Sequence, residues 1–82
     1  MLEIRREQSF LKTIGKIKDN SLKERIKKQV RKIVENPEIG KPMRYGRKGT
    51  RELYVPPFRI SYTFNKQENL LIFLDIYHKD RQ

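Results

Sequence analysis

Between Arg51 and Lys79 the apolar residues fall into three runs, Glu52–Val55, Phe58–Phe64 and Leu70–Tyr77, separated by Pro56-Pro57 and by the polar segment Asn65–Asn69. Short runs rich in β-branched and aromatic residues, bounded by breakers, predict the three strands of a meander. In the middle run Phe58, Ile60, Tyr62 and Phe64 share one parity, and Arg59, Ser61 and Thr63 the other. Side chains alternate along a strand, so this run predicts one core face and one polar platform carrying Arg59. Upstream the period changes. Leu2–Arg5 alternates apolar and charged residues, a short strand that adds to the meander through Leu2 and Ile4. Phe10, Leu11, Ile14 and Ile17 then recur at three- and four-residue spacing, which predicts a helix from Ser9 to about Ile17. Gly15 weakens it by roughly 1 kcal/mol relative to alanine. After the turn Asp19-Asn20-Ser21, Ser21 and Glu24 have the spacing of a capping box and predict the start of a second helix. Leu22, Ile26, Val30, Ile33 and Val34 form its apolar stripe as far as Glu35, and Asn36-Pro37 ends it.

Two amphipathic helices in tandem ahead of a meander predict an α+β fold, in which an N-terminal strand precedes a two-helix hairpin packed on one face of a small antiparallel sheet. Phe58, Ile60, Tyr62 and Phe64 are expected to face Leu22, Ile26, Val30 and Ile33 across this layer. Hydrophobic residues make up 35% and charged residues 37% of the 82 residues, but the apolar ones are concentrated in periodic runs, so the chain is read as one folded domain, residues 1–82. It shows no internal repeat and no linker that would divide it.

Charge changes the picture more than composition does. Twenty Lys and Arg against ten Asp and Glu give a net charge of +10, which calls for an anionic partner: nucleic acid first, then a membrane surface or an acidic protein. No run approaches the roughly 20 apolar residues needed to span a bilayer, and the charged segment Leu2–Glu7 is not a signal peptide, so a soluble, cytoplasmic protein with no membrane partner is expected. The absence of cysteine and the single histidine exclude thiol chemistry and make a metal site improbable, so neither a metal nor a cofactor is expected.

The candidate chemistry lies on the platform. A guanidinium fixed by a central strand can hold a phosphate bidentately. Tyr54 from the preceding strand should lie beside Arg59, with His78 and Lys79 near the strand ends. Cleavage of RNA by its own 2′-hydroxyl needs a base, positive charge for the phosphorane and an acid for the leaving oxygen. Glu52 or Tyr54 suits the first role, Arg59 with Arg51 the second and His78 the third. A purely structural reading stands beside this one, in which Arg59 pairs with Glu52 or Asp75 across the sheet and His78 is a surface residue. The segment Gly40–Gly49, G-K-P-M-R-Y-G-R-K-G, lacks the G-x-x-x-x-G-K-[ST] spacing of a P-loop. It reads as a basic loop. With Lys41, Arg44, Arg47, Lys48, Arg51, Lys79 and Arg81 it supplies the candidate contacts to a phosphodiester backbone.

The order of a short strand, two helices, G-K-P-x-R-Y-G, R-E-L-Y-V, F-R-I-S-Y and L-D-I-Y-H-K-D-R resembles the RelE/ParE superfamily of toxins over essentially the whole chain. The resemblance implies a RelE-like microbial RNase fold and the toxin of a type II toxin–antitoxin pair, held inactive by a cognate, RelB-like antitoxin. It further implies a ribosome-dependent mRNA endoribonuclease that cuts mRNA in the ribosomal A site and so inhibits translation. Arg59 matches the family's phosphate-stabilising arginine, and His78 the catalytic histidine of the YoeB-like branch. Where the RelE branch carries two lysines, this chain has Glu52 and Tyr54. The ParE branch shares the fold and inhibits DNA gyrase without nuclease activity, which is the alternative function.

Overall fold

The computed structural model describes residues 1–44 and 49–80. Its elements are β1 (Glu3–Arg6), α1 (Gln8–Lys16), α2 (Asn20–Glu35), β2 (Lys41–Pro42), β3 (Arg51–Val55), β4 (Phe58–Asn65) and β5 (Leu70–His78). The five strands form one sheet in the order β1-β5-β4-β3-β2. β2 to β5 are antiparallel to their neighbours, as the meander requires, but β1 runs parallel to β5, with Ile4 opposite Leu71. The helical hairpin between β1 and the meander returns the chain to the far edge of the sheet, and this crossover leaves β1 parallel.

Both helices cover one face of the sheet. Phe10 and Ile17 from the first helical segment and Leu22, Ile26 and Ile33 from α2 pack with Val55, Ile60, Tyr62, Leu71, Phe73 and Ile76. Phe10 stacks on Phe73 with ring centroids 5.1 Å apart. The predicted core parity of β4 is therefore the observed one, with Ile60 and Tyr62 fully buried and Phe58 and Phe64 packed at the margin. The start of α2 differs from the capping box. The N-cap lies two residues earlier, at Asp19, whose Oδ1 accepts from the N–H groups of Ser21 and Leu22, at 2.9 and 3.3 Å. A carboxylate at the N-cap satisfies these donors and also meets the positive end of the helix dipole, so it displaces Ser21 from that role. No helix among the described residues is long and apolar enough to cross a membrane.

Beyond α2 the chain is tied to the sheet by Tyr62. Its hydroxyl donates to the Pro37 carbonyl at 2.9 Å and accepts from the Gly40 N–H at 2.8 Å. Arg51 Nη1 donates to the carbonyls of Glu38 and Gly40, at 2.9 and 2.8 Å. Gly40 lies so close to the phenol that a Cβ there would meet Tyr62 Oη at 2.5 Å and Cε1 at 2.8 Å, which explains the glycine without any appeal to flexibility. Next comes β2, paired Lys41 to Glu52 and Pro42 to Arg51, where the sequence predicted irregular loop from Gly40 onward. A Lys-Pro pair carries no strand propensity of its own, and the edge strand forms because the clamp delivers it to β3.

Two outcomes follow from this packing. Ile60→Ala, a truncation at a fully buried central position, is expected to cost about 2–4 kcal/mol, read as a lower urea midpoint at unchanged slope. Burial pushes the Tyr62 phenol above its ordinary value of 10.0, against smaller opposing effects from the Gly40 N–H and the Arg51 guanidinium. The unfolded chain then releases this proton first. The contribution of neutral Tyr62 is complete below about pH 10 and is lost as pH rises through the higher folded value. The stability advantage of wild type over Tyr62→Phe should accordingly be constant at neutral pH and shrink in the alkaline limb of a pH series of denaturation curves.

Candidate functional site

The face of the sheet away from the helices is organised by cross-strand pairing. Tyr54 lies opposite Arg59, and Arg59 opposite Tyr77. Directly paired residues project from the same face, so β3, β4 and β5 present Tyr54, Arg59 and Tyr77 as one row. A neighbouring row runs Lys41, Glu52, Ser61 and Asp75.

The two rows are joined through Glu52. Arg59 Nη1 is 3.5 Å from Glu52 Oε1, and the other carboxylate oxygen accepts from the Tyr77 hydroxyl. Arg59 also lies 6.0 Å from the centroid of the Tyr54 ring, within cation–π range. Glu52 is 6% exposed and is the only buried charged side chain among the described residues. Arg59 is a third exposed, at 33% of its side chain. The contact realises one of the two cross-sheet pairings that the sequence left open. Asp75 instead accepts from the neighbouring Ile76 N–H at 2.8 Å. A cleft of about 380 Å³ opens over this group, lined by Ile39, Lys41, Met43, Glu52, Tyr54 and Arg59.

His78 is on the other face. It pairs with Phe58, whose ring meets the imidazole edge-on at 5.7 Å, and it borders a cleft shared with Lys16, Ile17 and Leu22 near the turn between the helices. Its Nδ1 accepts from the Asp80 N–H at 3.3 Å. The cause is a bulge. Ser61 pairs with Asp75 and Tyr62 with Phe73, which leaves Leu74 without an opposite residue. Strict alternation from Leu71 and Phe73 would have carried Asp75 and Tyr77 to the helix face. The extra residue sends Ile76 inward, Tyr77 to the open face and His78 back towards the helices. Arg59 and His78, read together from the sequence as parts of one phosphate-cleaving site, are therefore not brought together.

The other candidates divide similarly. Glu52 and Tyr54 lie beside Arg59 as expected, but Arg51 has the parity of Leu53 and Val55 and spends its guanidinium on the Glu38 and Gly40 carbonyls. That correction was available from the alternation in R-E-L-Y-V. Lys41 is exposed at the rim of the cleft, while Arg44 and Lys79 are exposed beyond it. Arg47, Lys48 and Arg81 lie outside the described residues. Tyr77 joins the group by donating its hydroxyl to Glu52. Its role depends on the bulge, which has no mark in the sequence. No cluster of three or more acidic or histidine side chains suited to a metal ion occurs among the described residues.

Comparison with known proteins adds a family to this geometry. The model of the ParE toxin of the type II toxin–antitoxin system parDE matches residues 3–82. A search of curated proteins finds no match. Among solved structures, the YoeB/ParE toxin from Agrobacterium tumefaciens superposes with a TM-score of 0.81 at 14% identity, covering 94% of this chain and 98% of that one. A chain of the intact E. coli RelBE toxin–antitoxin complex gives 0.79 at 16% identity, covering 99% and 100%. The isolated E. coli RelE toxin gives 0.79 at 15%, covering 100% and 88%. At such identities the likeness establishes a common fold, the RelE-like one.

The ion pair makes a specific energetic prediction. Arg59→Ala leaves a buried carboxylate with one fewer cation and should cost about 1–3 kcal/mol, discounted from a fully buried pair because Arg59 is partly solvated. Glu52→Gln removes the charge that needs the guanidinium. In a double-mutant cycle by urea denaturation the combined variant should be more stable than the sum of the singles predicts, by about 0.5–3 kcal/mol. Additive costs would mean that the two side chains do not interact.

Proposed function

The chain belongs to the ParE toxin family of type II toxin–antitoxin systems, and from that membership we propose that it acts on its target by protein contact, as an inhibitor of DNA gyrase, and not by cutting RNA. The observation that carries this reading is the engagement of Arg59 by Glu52. A ribonuclease must present a guanidinium to the developing phosphorane and hold a proton donor within reach of the same phosphate. Here the guanidinium already faces a carboxylate, and the histidine occupies the opposite side of the sheet.

The partner chemistry agrees with a protein-binding toxin. A groove between α1 and α2 has an apolar floor of Phe10, Ile14, Ile26 and Val30 and a rim of Arg6, Lys27 and Arg31. Its apolar floor and basic rim suit an amphipathic, acidic helix, the form expected of the cognate antitoxin. The ribonuclease reading, with mRNA in the ribosome as substrate, draws support from one feature, the exposed third of Arg59 beside the aromatic face of Tyr54 on an open sheet.

One experiment separates the two. Purified toxin is added in parallel to a gyrase supercoiling reaction and to ribosomes programmed with mRNA, the latter read by primer extension. Inhibited supercoiling with intact mRNA is the expected result. Cuts in the A site that fall by about 10²-fold on Arg59→Ala would overturn it in favour of the ribonuclease.

A further inference from the structure

We propose that Glu52 is an internal counter-anion, occupying beside Arg59 the place that a phosphodiester would otherwise take and so keeping the open face from binding single-stranded nucleic acid. This deepens the protein-contact reading above, on which it rests, by naming what excludes the competing polyanion from a chain of net charge +10.

Three observations lead to it. Burying a carboxylate carries a desolvation cost that a small domain has little stability to offset, and an apolar residue of similar volume usually serves a core at least as well. Glu52 is nevertheless 6% exposed on the face that does not pack against the helices. Its oxygens are directed at a guanidinium and a hydroxyl, Arg59 Nη1 and Tyr77 Oη, the two donor types that otherwise grip phosphate oxygens. The cleft above them also contains Lys41, directly opposite Glu52 in the β2–β3 ladder, with Ile39 and Met43 as its apolar wall. Among the described residues this cleft is lined by two cations, Lys41 and Arg59, and one anion, Glu52. Without it, Lys41 and Arg59 converge on a space of about 380 Å³ with the Tyr54 ring alongside for a base to stack on. The elements that make a single-strand site are thus assembled, and one carboxylate offsets the charge of one of the two cations.

The test is a fluorescence anisotropy titration of a labelled single-stranded RNA oligonucleotide with full-length protein at several salt concentrations. Wild type, Glu52→Gln, Arg59→Ala and the double variant are compared, each first shown by circular dichroism to be folded. Releasing one cation to a phosphate should steepen the dependence of log affinity on log salt by about 0.7, which is about a fivefold gain in affinity per tenfold drop in salt. Glu52→Gln should show that gain, and the double variant should lose it. Equal affinity and slope in wild type and Glu52→Gln, or a gain that survives removal of Arg59, would overturn the proposal. Should the glutamine variant fail to fold, Glu52→Leu, which replaces the buried charge by an apolar side chain of similar size, carries the same comparison. The supercoiling reaction is read separately with wild type. Failure of the gyrase reading therefore appears there, and failure of the counter-anion appears in the salt slopes.

Discussion

The hydroxyl of Tyr62 holds the two halves of the molecule in register. It lies on the buried face of the central strand, yet its hydrogen bonds go to Pro37 and Gly40, in the segment that leaves the long helix. Arg51 repeats the tie from the adjacent strand through the Glu38 and Gly40 carbonyls. Orphan carbonyls at a helix end need partners, and here the sheet supplies donors for the turn that follows the helix. The tie fixes where the chain enters β2, and β2 carries Lys41 to its place across from Glu52. A structural contact on the helix side of the sheet thus determines the electrostatics of the open side. It also accounts for Arg51, a cation whose hydrogen bonds serve the fold.

Over the described residues the open face is less positive than the net charge suggests. Most of the surplus lies on the helices, where Lys27, Lys28, Arg31 and Lys32 are exposed. At the centre of the sheet Arg59 meets a carboxylate, and its own row is completed by the aromatic Tyr54 and Tyr77. A protein surface that must recognise another protein has reason to separate charge that guides encounter from a pairing that sets specificity. The groove between the helices, apolar at the floor and basic at the rim, belongs to the first kind. On the proposed reading the Glu52 group belongs to the second.

How much of this was legible in the sequence depends on how local the determinant was. The meander, the core parity of β4 and the amphipathic stripe of α2 were readable because period alone decides which side of a regular element is apolar. The cap at Asp19 was misassigned to Ser21 because both residues have the right chemistry, and only the backbone shows which one precedes the first helical turn. β2 was invisible because Lys41 and Pro42 form a strand only through the clamp. Glu52 and Tyr54 could be placed next to Arg59 from hairpin register across Pro56-Pro57. The separation of Arg59 from His78 could not be foreseen, since a single unpaired residue at Leu74 has no compositional signature and yet reverses every later position.

That bulge makes the regularity of the last strand a variable with functional meaning. Deleting Leu74 would straighten the strand and leave Tyr77 and His78 facing as they do now, whereas a strand pairing the same residues without the bulge would turn that dipeptide over like a page, presenting an imidazole where this molecule presents a phenol. Its hydrogen-bonded ladder would be more regular, but the aliphatic contact that Ile76 now makes with the helices would go to a tyrosine. Alignments that match β5 without a gap at Leu74 to a strand lacking the bulge will pair residues that look in opposite directions. Counting from the bulge, and not from the chain end, assigns each to its side.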